Sequence, residues 1–252
     1  LGYSVWALTM IPVTIIALKI IAWKLDRDRR SIFLGMAAGL LGCGGQLILF
    51  QCLRMGPAYI VFPIISLYPV VTIVLSATLL KERASKRAWI GIMLALFAIV
   101  MLAYQPPENS PVKGYFWLLL AIIVFLMWGV QAYIMKFASS DMQAESITFY
   151  TMSSAILLIP IALVMTDFSH NINWGFSGVY SAGLIQSLNA VGFLFFAYTI
   201  RYGKAIIVVP MMALAPVITI ILSLILYAVI PHPIIIAGMV FASFAMYLLA
   251  LE

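Results

Sequence analysis

The chain has 252 residues, 65% of them hydrophobic and only 9% charged, with a mean hydropathy of +1.15 and a net charge of +6. A water-soluble domain carries about 25% charged residues, so no soluble core could hide this much apolar surface and the solvent must be lipid. The basic residues sit in short clusters between apolar runs, which excludes a nucleic-acid-binding face and reads as membrane-orienting charge.

A helix crossing the hydrocarbon needs about 20 apolar residues. Nine segments qualify in chain order: 1–23, 32–53, 57–80, 88–104, 114–136, 146–166, 178–200, 204–230 and 233–251. Trp23, Trp89, Tyr104, Tyr115, Trp117 and Tyr180 stand near segment ends, as an interfacial belt requires. The intervening stretches alternate in charge. Those at 24–30, 81–87, 136–145 and 201–204 hold eleven of the 14 Lys and Arg, whereas the opposite side receives Arg54 and Lys113. The positive-inside rule puts the eleven in the cytoplasm, so the first visible helix runs inward and the C-terminus is cytoplasmic, in an inner (plasma) membrane. Lys19 is close enough to the cytoplasmic end to snorkel. Cys43 and Cys52, nine residues apart on one helix, are roughly 13 Å apart and too distant for a disulfide.

The stretch RMGPAYIVFPIISLYPVV (Arg54 to Val71) returns as RYGKAIIVVPMMALAPVI (Arg201 to Ile218) at an offset of 147, with nine of 18 positions identical. Thr72/Thr219, Ser76/Ser223, Gly91/Gly238, Phe97/Phe244 and Ala103/Ala250 extend the echo, and Pro12/Pro160 pair at 148. This is a duplication. Five helices separate equivalent points, so the second copy must cross the membrane in the opposite sense. The expected fold is an all-α integral membrane protein built from two five-helix inverted repeats. Residues 1–104 form the first repeat with four helices visible, 105–113 an external linker, and 114–252 the second repeat. The segment 114–147 has no counterpart before Leu1, so roughly 34 residues, one helix and a loop, are expected ahead of it. No secretory signal peptide is visible.

Within this frame, Gly56 to Leu102 resembles the core of the drug/metabolite transporter superfamily, in its ten-helix EamA-type branch. The matching features are the small residues at its start, the central Pro69, the Lys81–Glu82–Arg83 end, and Trp89 and Gly91 opening the next helix. The resemblance implies alternating access around a central cavity lined by segments 32–53, 57–80, 114–136, 178–200 and 204–230. The chain departs from the pattern at Tyr68–Pro69 and Ala215–Pro216, where many members carry Glu before the proline. It departs again at Tyr227–Ala228–Val229, where a second Lys-Glu-Arg would stand.

Prolines remove a backbone donor and clash with the preceding turn. Pro63 and Pro69, matched by Pro210 and Pro216, therefore predict equivalent kinks, static or hinge-like, in both repeats. Gln46, Gln131, Gln186 and Asn189 fall at mid-membrane depth, where an unpartnered amide is costly. With Tyr68 and Trp128 they are the candidate substrate-binding residues; interhelical glue is the alternative reading. Gly35, Gly39 and Gly42 share a helix face with Gln46 and predict close packing.

The acids Asp26, Asp28, Glu82, Glu108, Asp141, Glu145, Asp167 and Glu252 all lie in loops or near helix ends. Proton- or sodium-driven transporters often bury a carboxylate. With none expected here, the sequence favours a facilitator, exporter or exchanger of small neutral or zwitterionic metabolites, such as amino acids or nucleosides. The alternatives are a lipid or lipid-carrier flippase, or a proton-coupled exporter whose acid lies in the absent helix. His170 and His232 belong to no metal-ligand cluster, and no nucleophile has an acid–base partner, so neither catalysis nor a metal or other cofactor is expected. The expected partners are a small-molecule substrate and membrane lipid; a homodimer is compatible with this reading.

Overall fold

The computed structural model describes residues 1–102, 104, 115–166, 168, 175–215, 217, 218, 221 and 232–251. Regular structure among them is entirely helical. In the first repeat α1 (Gly2–Ile20), α2 (Arg29–Met55), α3 (Ala58–Ser66), α4 (Tyr68–Thr78) and α5 (Lys86–Leu102) follow one another. After them come α6 (Phe116–Ala138), α7 (Ala144–Leu157), α8 (Ile159–Val164), a π-helical turn at Phe176–Tyr180, α9 (Ser181–Tyr202), α10 (Ala205–Met212) and α11 (Pro233–Ala250). Among the described residues, seven stretches are long and apolar enough to span a bilayer. The chain is a multi-pass integral membrane protein. α5, at 17 residues, is an eighth expected segment, and residues 216, 219, 220 and 222–230 of the segment 204–230 lie outside the described residues.

Two segments expected as single helices are each broken, both times at the residue two before a proline. α3 stops at Leu67, two residues before Pro69, which has no N–H to give the Ile65 carbonyl. Tighter bonds bridge the gap, from Leu67 N to Ile64 O at 3.3 Å and Val70 N to Leu67 O at 2.9 Å. The second copy repeats them 147 residues on, from Leu214 N to Met211 O at 3.1 Å and Val217 N to Leu214 O at 3.0 Å. Likewise α7 ends at Leu158 before Pro160. Pro12 is instead absorbed inside α1. Helix limits obey the offset as well: α2 at 29–55 maps onto 176–202, and α5 at 86–102 onto the first 17 residues of α11.

The chain divides into two compact units, one of residues 1–47 and 134–202, the other of 48–133 and 203–252, so α2 and α6 contribute to both. These are not the two sequence repeats. A shift of 147 carries most of each unit's first segment onto its own second segment, so each unit combines corresponding helices from both copies.

In the first unit α1 runs antiparallel to α7 and α8. Its N-terminal amine donates to Thr166 Oγ1 at 2.8 Å, while Asp26, beyond its far end, accepts from the Gln143 N–H at 2.8 Å. Tyr3, Met10, Cys43, Ala155 and Ala190 form the apolar centre. Gly35 and Gly39 bring the α2 backbone onto Tyr150 and Ser154 of α7, where side chains at those two positions would collide.

In the second unit α5 packs against α11, its counterpart in the other repeat. A Cβ at Gly91 would lie 3.1 Å from Leu248 Cβ, and one at Gly238 would lie 2.9 Å from Met101 Cβ. Each glycine near the start of one helix meets the end of the other, so the pair is antiparallel with local two-fold symmetry. Ala95, Ala98, Ala242 and Ala245 are fully buried along the seam. Small residues permit this approach, and the antiparallel pairing of equivalent helices is the signature of inverted copies.

Candidate functional site

The second unit contains a cavity of about 110 Å³ at the break between α3 and α4. Its walls are Leu49 from α2, Phe62, Ile65 and Ser66 from α3, Tyr68 from α4, Trp128 from α6, and Ala213 just after α10. The break is what opens this space: interrupting the helix at Leu67 leaves Ser66 and Tyr68 on either side of the gap. The Tyr68 and Trp128 rings meet edge to face, centroids 6.1 Å apart at 87°, a favoured aromatic geometry. α6 can approach because it carries Gly129 there. A Cβ at that position would overlap the Val71 side chain and reach 2.8 Å from the Tyr68 carbonyl oxygen. The Thr72 hydroxyl fixes the crossing by donating to the Gly129 carbonyl at 2.9 Å. Lower on α6 the Cys52 thiol donates to the Trp117 carbonyl at 3.2 Å, and Gly56 lies against the Trp117 ring.

The structure thus brings Tyr68 and Trp128 together and places Gln131 one turn further along α6. Gln46, Gln186 and Asn189 belong to the other unit. There Asn189 Oδ1 accepts from Trp6 Nε1 at 3.1 Å, tying α1 to α9. Among the described residues, the Ser66 and Tyr68 hydroxyls and the amides of Gln46, Gln131 and Gln186 form no hydrogen bond with protein groups. Pro63 and Pro210 lie inside α3 and α10, and Pro69 in the first turn of α4. Pro216 lies outside the described residues.

Phe62, Ser66 and Thr72 are additions that sequence position alone did not single out, although Thr72 lies one helical turn beyond Tyr68 and Ser66 just before the break. Glu82, read from sequence as a loop acid, turns back from the end of α4 through Lys81, which adopts a left-handed φ of 56°. Its carboxylate accepts from the N–H groups of Ala205 and Ile206 at 3.1 and 2.9 Å, capping the first turn of α10, where the helix dipole favours an anion. The equivalent position in the second repeat is Val229.

One expectation is overturned: a carboxylate is buried. Glu145 is 6% exposed. It occupies the first turn of α7, but α9 covers it and the Tyr198 hydroxyl donates to its Oε1. Asp28 behaves as an ordinary exposed acid, its carboxyl held below the usual range by hydrogen bonds from Ser31.

The EamA-like transporter family matches this chain over residues 2–104 and 115–251. An uncharacterised protein of Methanocaldococcus jannaschii is 33% identical over 76 residues, which cover 30% of this chain and 56% of that protein. A protein of known crystal structure superposes with a TM-score of 0.79 at 16% identity, over 99% of this chain and 87% of its own. At that identity the likeness establishes the fold alone.

Proposed function

Because the chain belongs to the EamA-like transporter family, within the drug/metabolite transporter superfamily, we propose that it carries small neutral or zwitterionic metabolites by alternating access. Amino acids and nucleosides are the leading solute classes. The observation that carries this reading is the pocket at the α3–α4 break, with apolar walls and the hydroxyls of Ser66 and Tyr68 at the kink. An unmatched polar group at this depth costs roughly 2–7 kcal/mol unless water or a solute meets it. The Ser66 and Tyr68 hydroxyls at this opening are therefore poised to bond a polar cargo.

In this mechanism Tyr68 and Trp128 provide the walls of the pocket and Gln131, one turn along α6, a hydrogen-bonding group; within the other unit Gln46, Gln186 and Asn189 are candidate solute contacts. Pro63, Pro69, Pro210 and Pro216 supply matched weak points. The repeated pattern of bonds around Leu67 and Leu214 supports that role, because each kink holds its neighbours with only a few i+3 bonds. A solute drives the exchange of states only through contacts that differ between them. We place the protein in an inner membrane with a cytoplasmic C-terminus, from its charge distribution.

Proteoliposome uptake with radiolabelled neutral amino acids, nucleosides and a fluorescent lipid tests the reading. Saturable movement of an amino acid or nucleoside is the expected result. Movement of the lipid alone would make the protein a flippase instead.

A further inference from the structure

We propose that Glu145 and Tyr198 form a proton-binding site whose occupancy is linked to solute movement; this rests on the transporter reading. Among the described residues, Glu145 is the one charged side chain buried below a tenth of its surface. Its polar partner is the neutral Tyr198 hydroxyl, and among the described residues no cation lies within ion-pair distance of it.

The charged groups around it are committed elsewhere. On α9 the Arg201 guanidinium donates to the Met142 carbonyl at 2.6 Å, and Tyr202 is 79% exposed. In the loop before α7, Asp141 is paired with Arg30 at 2.8 Å. In the loop after α1, Asp26 accepts from the Gln143 N–H. Lys136 donates to the Ile200 carbonyl at 3.1 Å, and Lys19 at the end of α1 is exposed. An ionised carboxylate buried without a cation is costly, so the arrival of a proton changes the energy of this contact substantially.

The lever is α9. When Glu145 is ionised, its bond from Tyr198 is charge-assisted and roughly twice as strong as a neutral one. Protonation weakens that tie between α7 and α9. Tyr198 lies nine residues, about 13 Å, along the same rigid helix from Asn189. A change at one end of α9 is therefore delivered to a candidate solute-binding residue. One proton is bound from one side of the membrane and released on the other in each cycle, with no other chemistry required.

The experiment uses the full chain in proteoliposomes with the same amino acid and nucleoside panel, comparing wild type, Glu145→Gln, Glu145→Asp and Tyr198→Phe. A pH gradient should drive accumulation in wild type and Glu145→Asp. Glu145→Gln should lose at least about tenfold of that accumulation while exchange of labelled for unlabelled solute stays within about threefold. Tyr198→Phe, which removes the tie between α7 and α9, should lose most of that accumulation as well. Gradient-driven accumulation unchanged in Glu145→Gln, or absent in wild type, overturns the proposal while leaving transport itself standing. If no panel solute moves, the transporter reading fails, and infrared difference spectra of the purified protein decide the proton site. A carboxyl band that responds to pH and vanishes in Glu145→Gln supports the site; its absence overturns it.

Discussion

A methyl group at Gly129 has nowhere to go: Val71 occupies the space, and the Tyr68 carbonyl oxygen is 2.8 Å from where it would stand. Over-packing of this kind costs about 1–3 kcal/mol. Gly129→Leu should therefore lower the thermal midpoint of the detergent-solubilised protein, and by less in a Val71→Gly background, where the Cβ that it strikes is gone. An equal loss in both backgrounds would mean that this contact is not what the glycine serves. Trp128 poses a different question, since its ring is half-buried at the edge of the pocket. Trp128→Ala should reduce uptake about tenfold or more, whereas Trp128→Phe, which keeps an aromatic wall, should stay within about threefold. Equal losses would remove the ring from the solute path. Residues of this kind were legible because Tyr68 and Trp128 are large aromatics at mid-segment, the first beside Pro69 and the second three residues from Gln131. Glu145 was not. Its position at a helix start looks solvated in sequence, and only the packing of α9, more than fifty residues away, buries it.

Among the elements, those whose form depends on local chemistry could be read from the chain, and those that depend on distant contacts could not. The interruptions at Leu67 and Leu158 follow from prolines whose missing N–H groups are visible in the sequence. Their exact form was less legible, because Pro12 carries the same chemistry and α1 runs through it unbroken. The ends of α2 at Arg29 and Met55 extend beyond the apolar limits of 32–53, since the stems of Arg29 and Arg54 can reach the interface while the backbone stays helical. Pro69→Ala would give the Ile65 carbonyl a donor and allow α3 to run into α4. The expected result is an uptake rate reduced about tenfold with half-saturation within about threefold, the pattern of a slowed conformational step. A changed half-saturation with an unchanged rate would make the kink a shaping feature of the pocket. The Glu82 cap on α10 was hidden in the sequence, because the groups it joins are more than 120 residues apart. Glu82→Gln keeps the shape but loses the charge, and should cost about 1 kcal/mol, measurable as a lowered thermal midpoint at low ionic strength.

At the scale of the whole molecule the 147-residue echo carries the most information, because it foretells which helices are equivalent and that they oppose one another. What it could not supply is the partition into compact units, since pairing α5 with α11 and α1 with α7 and α8 requires knowing which copies face each other. Those pairings can be tested chemically. Leu248 is Met101 advanced by 147, and Gly238 is Gly91 advanced by the same amount. Cysteines at 91 and 248 would have their Cβ atoms about 3.1 Å apart, and cysteines at 238 and 101 about 2.9 Å apart, slightly inside the usual disulfide range of about 3.5–4.5 Å. A few tenths of an ångström of give at the helix ends accommodates either bridge. In a background with Cys43 and Cys52 replaced by alanine, mild oxidation in the membrane should form both cross-links with similar efficiency, identified by mass spectrometry of linked peptides. The mismatched pairs 91 with 238 and 101 with 248 join opposite ends of antiparallel helices and should form neither. Cross-linking of the mismatched pairs in place of the matched ones would mean that the two helices run in the same direction, and that the two copies are not inverted.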